Sequence, residues 1–467
     1  MGCNHSRLWE GVGMSNVTAY GKDFAFLRNL AQEKVTRLCI YGCGVNGEVI
    51  SKFLESCGKN IEFFVDKQAE CREFTVLGRC VISPAAFFEK QQNIKIIVSP
   101  DNQEPVVSFL LENGIDEKRI ICPFKKVEKN IRLLSEDYSP QDYLNTINRH
   151  SELSEPDMPE VTVFTILYNT PGWMLCRAIE SILDQSYKKL KYLIIDNGST
   201  DASENIIRQY ASADNRIQYI RLKQNVPWTN RELLLALKEN IDTRYVAMLD
   251  SDDYYEKSFL QKAISILKRD DSDIVQVNTL TYAHDGFRYS YFAHYLGEDL
   301  CIQESEKERY LMLRILNVPV WGKLYKGELF KNLIDKMLSC ETEYERDRNF
   351  CLDISWMTYM ALAGSRASMC DDILHIRTWR AGSSEHSDNY GSKWLSSMVW
   401  SFEHLCKRNV KYEDSIVYEE AALMWLFSLP RDEYSLPAFR SGDLENRAVK
   451  EFLKRPVCDR YRGSGNV

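Results

Sequence analysis

Three carboxylates follow an apolar run at Tyr245-Val246-Ala247-Met248-Leu249-Asp250-Ser251-Asp252-Asp253. An Asp-x-Asp pair closing a strand stands at the carboxyl edge of a sheet, where open α/β folds take their ligands. Two such carboxylates can share a hard divalent cation with a diphosphate, because Mg²⁺ and Mn²⁺ prefer oxygen and accept few ligands from the protein. Taken alone, the spacing reads more often as a solvated acidic turn. Two further clusters upstream change its weight. Residues 161–167 are β-rich and end in Tyr168-Asn169, and residues 190–195 end in Asp196-Asn197-Gly198-Ser199-Thr200-Asp201. Asp196, ahead of a glycine turn, suits hydrogen bonding to a base or ribose. Asp201 and Glu204 have the spacing of a capping box, which makes Asp201 a helix cap rather than a catalyst.

These clusters need strands to hold them, and the pattern supplies strands. After Asn169, Thr170-Pro171 is expected to cap a helix with Leu175, Ile179, Ile182 and Leu183 at helical spacing, ending near Gln185-Ser186-Tyr187. Strand-helix alternation continues to about Leu280, and residues 373–380 read as a further strand. The region beyond His386 reads mostly as helix.

A second glycine-and-acid pattern lies nearer the N-terminus. Residues 37–41 form an apolar strand, Gly42-Cys43-Gly44-Val45-Asn46-Gly47 follows, a helix runs to about Cys57, and a second strand at 61–65 ends in Asp66. This is a βαβ unit with a G-x-G-x-x-G turn. Gly42, Gly44 and Gly47 would let a diphosphate approach the backbone at a helix N-terminus, with Asp66 closing the nucleotide site. Ser83-Pro84 reads as N-cap and first helical position, residues 94–98 as a strand and 106–113 as a helix. Two readings stay open: a nucleotide site, or a Rossmann-like module that keeps the fold and binds little. NAD-linked redox chemistry ranks below both, because the unit ends near Pro123 and no oxidoreductase catalytic set follows. The charged stretch 125–160 reads as a connector, with Ser139-Pro140 starting a helix.

The chain has 467 residues, enough for two to four domains, and 44% hydrophobic with 27% charged residues fits a globular protein. A net charge of -8 argues against a general nucleic-acid binder. The 14 cysteines show no CxxC pair, which suits free thiols in a reducing compartment. No apolar run approaches the roughly 20 residues that span a bilayer. Met1-Gly2-Cys3-Asn4-His5-Ser6 matches a myristoylation pattern, though chance or a start at Met14 is the commoner explanation.

The three strand ends, in this order and spacing, resemble the donor half of glycosyltransferase family 2, which has the GT-A fold. The family pattern is a strand ending in Tyr-Asn, a helix ending in Gln-Ser/Thr-Tyr, then Asp-Asp-Gly-Ser-Thr-Asp, then Asp-x-Asp-Asp. The chain has Tyr168-Asn169, Gln185-Ser186-Tyr187, Asp196-Asn197-Gly198-Ser199-Thr200-Asp201 and Asp250-Ser251-Asp252-Asp253. The resemblance covers residues 161–255 and continues less tightly to about Ser384. It implies that Tyr168, Asn169 and Asp196 line a nucleotide-sugar donor, with Asp196 at the base. Asp250 would meet the ribose or the metal shell, and Asp252 would bind Mn²⁺ or Mg²⁺ at the diphosphate.

Where the family has Asn-x-Gly and then Ala-Arg-Asn, this chain has Asn225-Val226-Pro227-Trp228-Thr229-Asn230-Arg231, which leaves the register of the donor contact expected from Arg231 open. Val320-Trp321-Gly322-Lys323-Leu324-Tyr325 resembles the family's Trp-x-Lys-Leu-Tyr segment. About thirty residues later the family often has Glu-Asp, whose Asp is the general base; here the pair is Leu352-Asp353. Arg380 is expected at the diphosphate. His386 is either a further metal ligand, as a late His is in some GT-A enzymes, or a lone surface histidine. For Trp228, Trp321 and Trp379, core packing outweighs stacking on sugars.

The expectation is an α/β protein: a Rossmann-like domain at 20–124, a connector at 125–160, a GT-A domain at 161–385 and a helical region at 386–467. Its expected activity is metal-dependent, inverting transfer from a nucleoside-diphosphate sugar, UDP-linked first, to a hydroxyl of a glycan or lipid-linked acceptor in surface-glycan synthesis. The rival is a catalytically weak GT-A-like binding or assembly protein. A cytoplasmic placement is expected, with peripheral association at the inner face of the membrane left open.

Overall fold

The computed structural model describes residues 12–34, 37–90, 93–100, 102–145, 158–228, 230–283, 290–303, 316, 319–339 and 366–379. The chain opens with β1 (Val12–Asp23) and α1 (Phe24–Gln32). A small unit follows: β2 (Leu38–Tyr41), α2 (Val45–Ser56), β3 (Ile61–Val65), β4 (Thr75–Val76), β5 (Arg79–Ile82), α3 (Pro84–Lys90), β6 (Lys95–Val98), α4 (Glu104–Glu112) and β7 (Ile120–Ile121). Then come β8 (Phe124–Leu134) and α5 (Pro140–Leu144). The larger unit holds β9 (Val161–Leu167), α6 (Gly172–Leu183), β10 (Leu190–Asp196), α7 (Ser203–Ala213), β11 (Ile217–Arg221), α8 (Arg231–Asn240), β12 (Tyr245–Met248), β13 (Tyr254–Tyr255), α9 (Phe259–Asp270), β14 (Ile274–Ala283), β15 (Ser290–Tyr295), β16 (Leu300–Ile302), β17 (Lys323–Lys326), α10 (Gly327–Ser339) and β18 (Ala367–Trp379).

The large sheet runs β11-β10-β9-β12-β17-β14-β15-β1-β8, with β18 pairing β13, β14 and β16. Its donor half is the parallel set β11, β10, β9 and β12; β17 is antiparallel to β12. This is the GT-A arrangement expected from the resemblance. Every residue of β9 is buried, as a central parallel strand covered on both faces requires. Val161, Val163 and Leu167 face one core with α6 and α9, while Phe164 and Ile166 face the other with α8 and α10. The strand therefore reads as a continuous apolar run with no alternation.

The small unit has its own sheet, β4-β5-β3-β2-β6-β7, parallel apart from β4. It does not hang from the larger unit by a linker. β1 pairs antiparallel with β8 from Val12↔Leu134 to Lys22↔Phe124 and parallel with β15 from Ala19↔Ser290 to Asp23↔Tyr295. The chain leaves the large sheet along β1, builds the small unit, and returns along β8. α1 completes the joint, with Phe24, Leu27 and Leu30 buried among residues of both units.

This corrects the connector expected at 125–160: residues 125–134 belong to β8. Lys125, Lys126 and Lys129 made that stretch read as a linker, yet charge is what an edge strand carries to discourage pairing with other chains. The start at residue 20 also falls inside β1. Ser83 and Ser139 cap their helices as expected, the latter in a capping box with Asp142. Thr170 does not cap α6, whose N-cap is Pro171. Asp201 accepts from the Ser203 amide at 3.0 Å, but Glu204 pairs with Arg208 and Arg221, so no capping box forms there. None of the nine described cysteines is in a disulfide. Among the described residues no helix is long and apolar enough to cross a membrane.

Candidate active site

Three strand ends meet where the sequence put them. β9 lies between β10 and β12, so Tyr168-Asn169, Asp196-Asn197 and Asp250-Ser251-Asp252 emerge side by side at one edge. Asn169 takes φ 50, a left-handed conformation that asparagine tolerates better than most residues. From there its Oδ1 accepts from the Thr200 amide at 2.8 Å, and its own amide donates to Ser199 Oγ at 3.1 Å. Thr170 Oγ1 lies 2.6 Å from Ser251 Oγ. The end of β9 is thus laced to both neighbours. Tyr168 remains 45% exposed, which leaves its ring free for a ligand.

Asp196 is fully buried. Its Oδ1 accepts from the Ser199 amide at 2.7 Å, and its Oδ2 accepts from Tyr219 Oη at 3.1 Å and Arg221 Nη1 at 3.2 Å. The side chain expected at the base therefore also braces its own turn. The neighbouring Asn197 stands where the family pattern has a second aspartate, and only 2% of it is exposed. Its Nδ2 donates to Asn225 Oδ1 at 2.9 Å and to the Val226 carbonyl at 2.8 Å, while its Oδ1 accepts from the Val226 amide at 3.0 Å. Gly198 has φ +78, and a Cβ there would sit 2.4 Å from the Gln224 carbonyl carbon. The altered 225–231 loop and the altered Asn197 are thus one feature: the loop lies against the turn, and the amide both donates to it and accepts from it, which an ionised carboxylate cannot do.

The acidic loop divides its labour. Asp250 and Asp252 are half-buried. Asp253 is 1% exposed and turns inward, its Oδ1 accepting from the Thr378 amide at 2.7 Å. His375 Nε2 stands 3.3 Å from Asp253 Oδ2, out of line for a hydrogen bond, and Nδ1 is 3.2 Å from Thr279 Oγ1. Burial depresses the His375 pKa, partly countered by Asp253. Beneath the loop lies Arg177 of α6, fully buried, its Nη2 donating to the Asp252 carbonyl at 2.7 Å. His375 and Arg177 were not singled out in the sequence, and Asp253 was read only as part of the acidic motif. A charged residue amid the apolar spacing of α6 was the one available signal.

Asp250 and Asp252 suit a hard divalent ion, since both are carboxylates at an open edge. Among the described residues no cluster of three His, Cys, Asp or Glu could hold a metal alone. A cation here would take its remaining ligands from a diphosphate and water, as Mg²⁺ commonly does. Arg231 is the exposed first residue of α8, behind the cap Asn230, whose Oδ1 accepts from the Glu232 amide. Trp321 and Trp379 are buried, as expected for core aromatics, and Trp228 packs against the core cluster. Asp353, Arg380, His386 and the helical region expected at 386–467 lie outside the described residues.

In the small unit the three glycines differ. Gly42 has φ +102, and a Cβ there would meet Ser99 Oγ at 2.4 Å; a Cβ on Gly47 would meet the Gly42 carbonyl at 2.3 Å. Both are required by packing alone. A Cβ on Gly44 would meet nothing within 4 Å. Asp66 accepts from the Cys43 amide and the Gln68 amide, each at 3.0 Å, so it supports its own loop.

Residues 162–334 match the family described as Glycosyl transferase family 2. The chain is 29% identical over 182 residues to glycosyltransferase GlyA of Streptococcus pneumoniae serotype 4, covering 37% of this chain and 25% of that protein. It is 32% identical over 139 residues to the putative teichuronic acid biosynthesis glycosyltransferase TuaG of Bacillus subtilis, covering 29% and 53% respectively. It thus spans between a quarter and about half of these two relatives. Among solved structures it is similar to S. aureus TarS 1-349 in complex with UDP-GlcNAc, at 17% identity and TM-score 0.39, covering 58% of this chain and 82% of that one.

Proposed function

We infer, from the match of residues 162–334 to glycosyltransferase family 2, that the chain moves a sugar from a nucleoside-diphosphate sugar to an acceptor hydroxyl. UDP-linked donors are the first choice, and a surface glycan or lipid-linked saccharide is the acceptor class. The observation that carries this reading is the lacing of Tyr168-Asn169, Asp196 and Asp250-Ser251-Asp252 at the ends of three adjacent parallel strands. In it, Tyr168 and Asp196 receive the nucleoside, and Asp250 and Asp252 receive the ribose side and the cation. A divalent ion bound there would offset charge developing on the departing diphosphate. Asp252 holds its side of that site, and the buried Asp253 keeps the loop's far end fixed. Asp353 is assigned as the base that takes the acceptor's proton. One base acting opposite the leaving group gives single displacement, hence inversion.

The test is a donor screen with UDP- and GDP-sugars, with Mn²⁺ or EDTA, scored by nucleoside diphosphate release. Asp252→Asn should abolish most turnover while its unfolding midpoint stays near wild type. Release that survives both EDTA and this substitution would end the metal-dependent reading. A second reading, a GT-A-like binding protein without turnover, is favoured by the 225–231 loop pinned through Asn197. UDP binding without release from any donor would select it.

A further inference from the structure

Arg177 is the largest fully buried side chain among the described residues, and it sits behind the acidic loop. A buried guanidinium with no carboxylate bonded to it is costly. Among the described residues Arg177 makes no ion pair, and its Nε has no hydrogen-bond partner. Burial pushes its pKa down, opposed by the nearby Tyr254, Asp253 and Asp252. What it does make is three bonds to three distant segments. Nη2 donates to the Asp252 carbonyl at 2.7 Å and to Thr378 Oγ1 on β18, and Nη1 donates to the Arg132 carbonyl on β8 at 3.3 Å. Trp173 and Tyr254 present ring faces 5.2 and 5.0 Å from the guanidinium carbon. Tyr254 Oη in turn accepts from the Arg132 amide at 3.0 Å.

We propose that Arg177 is a positioning residue for the cation-binding loop. Resting on the transferase reading above, it fixes the Asp252 main chain against β8 and β18 and lends a positive field to a loop of three carboxylates. A held carbonyl limits the peptide plane between Asp252 and Asp253. That restriction keeps Asp252 turned to the open edge while Asp253 turns to Thr378. The buried cation offsets repulsion among Asp250, Asp252 and Asp253 before any metal arrives. The three bonds leave from two nitrogens held apart in a rigid planar fork, a span that the single ammonium of lysine does not reproduce, so lysine is not an equivalent. Two anchors, Arg132 on β8 and Thr378 on β18, lie outside the family-matched residues 162–334. The returning strand of the N-terminal ribbon is thereby part of the transferase site.

The test uses the full chain as wild type, Arg177→Lys and Arg177→Met. Hydrogen exchange of the metal-free protein should show the 248–256 peptide exchanging at least tenfold faster in Arg177→Lys, with β9 and β10 unchanged. Mn²⁺ uptake in the presence of UDP, read by the electron paramagnetic resonance of free Mn²⁺, should weaken at least tenfold, about 1.4 kcal/mol. Should Arg177→Met fail to fold, Arg177→Lys decides. Unchanged exchange at 248–256, or unchanged Mn²⁺ affinity beside a normally binding wild type, overturns the proposal. A wild type that takes up no Mn²⁺ with UDP counts against the metal-dependent transferase instead. The exchange measurement then decides alone whether Arg177 holds the loop.

Discussion

Asn197→Asp restores the residue that the family pattern carries, and the geometry says that restoration is harmful here. The wild-type amide donates to the Val226 carbonyl at 2.8 Å and to Asn225 Oδ1 at 2.9 Å, and accepts from the Val226 amide. An aspartate keeps the acceptance and reverses the donations. The Val226 carbonyl loses its donor, a loss of about 1–3 kcal/mol for a buried group. Asn225 is exposed and can turn to water, so its share is small. The new carboxylate is almost wholly buried and faces two oxygens at hydrogen-bond distance, which brings the total to about 3 kcal/mol or more at neutral pH. Loop 224–228 cannot retreat without uncovering Gly198, whose turn it contacts.

The pH dependence separates this account from a packing defect. Burial between two oxygens raises the folded-state pKa of the introduced carboxyl, because the protonated form can donate one bond and the ionised form none. A raised folded pKa means stability present at low pH and lost as pH rises through that value. The variant should lie nearer wild type at pH 5 than at pH 8, measured by urea unfolding midpoints with unchanged slopes. A difference under about 0.5 kcal/mol at pH 8, or one independent of pH, would refute the reasoning. UDP affinity by calorimetry should fall with the loop if that loop shapes the donor pocket.

Burial lifts Glu180 from 4.5 to about 7, opposed by Arg132 and by hydrogen bonds from Tyr210 and Tyr138. Its contribution is then full below its unfolded value and falls by about 3 kcal/mol as pH rises to 7, and Glu180→Gln should flatten that part of the stability-pH curve. A wild-type curve that rises over this window relative to the variant would mean the Arg132 pair holds Glu180 ionised. In the small unit, Gly47→Ala should destabilise by about 1–3 kcal/mol, since the carbonyl 2.3 Å from its Cβ is backbone and cannot swing away. Gly44→Ser, at the N-cap of α2 with open space before it, should be neutral or slightly stabilising in urea. Equal costs at the two glycines would remove the distinction drawn between them.

The donor half was legible because its signals are local. β9, β10 and β12 are apolar runs ending in acids, and parallel strands covered on both faces leave that signature. The pairing of β14 with β18 was not legible, nor that of β1 with β8. Each joins residues about ninety or more positions apart, and register over such distances is set by the assembled core. β8 misled for a further reason: its lysines satisfy an edge, and edges and linkers share a composition. Asn197 was in plain view, but its significance depends on a loop 28 residues on that folds back against it. Arg177 and Glu180 were likewise visible on α6. An i, i+3 pair of opposite charges reads as a solvated face, and here it is buried, because β8 brings Arg132 across both.

That last point decides how the two units relate. Arg132 binds Glu180 through its side chain and the Arg177–Tyr254 pair through its main chain. β8 is consequently a structural member of the acidic loop's support, although it follows the small unit in sequence and precedes the family-matched residues. A chain begun near Ser151 would lose β1 and β8 together. It would uncover Leu280, Phe292 and Ile376, which pack with Val17, Ala19 and Ile131, and would leave Glu180 buried beside Tyr210 without its cation. Loss of transfer by such a fragment would therefore report the missing strands and say nothing of nucleotide binding at Gly44. Excising residues 24–123 while joining β1 to β8 through a short hairpin keeps both strands and removes the module together with α1, whose buried face packs partly against it. The topology permits it, because β1 and β8 are already adjacent antiparallel neighbours.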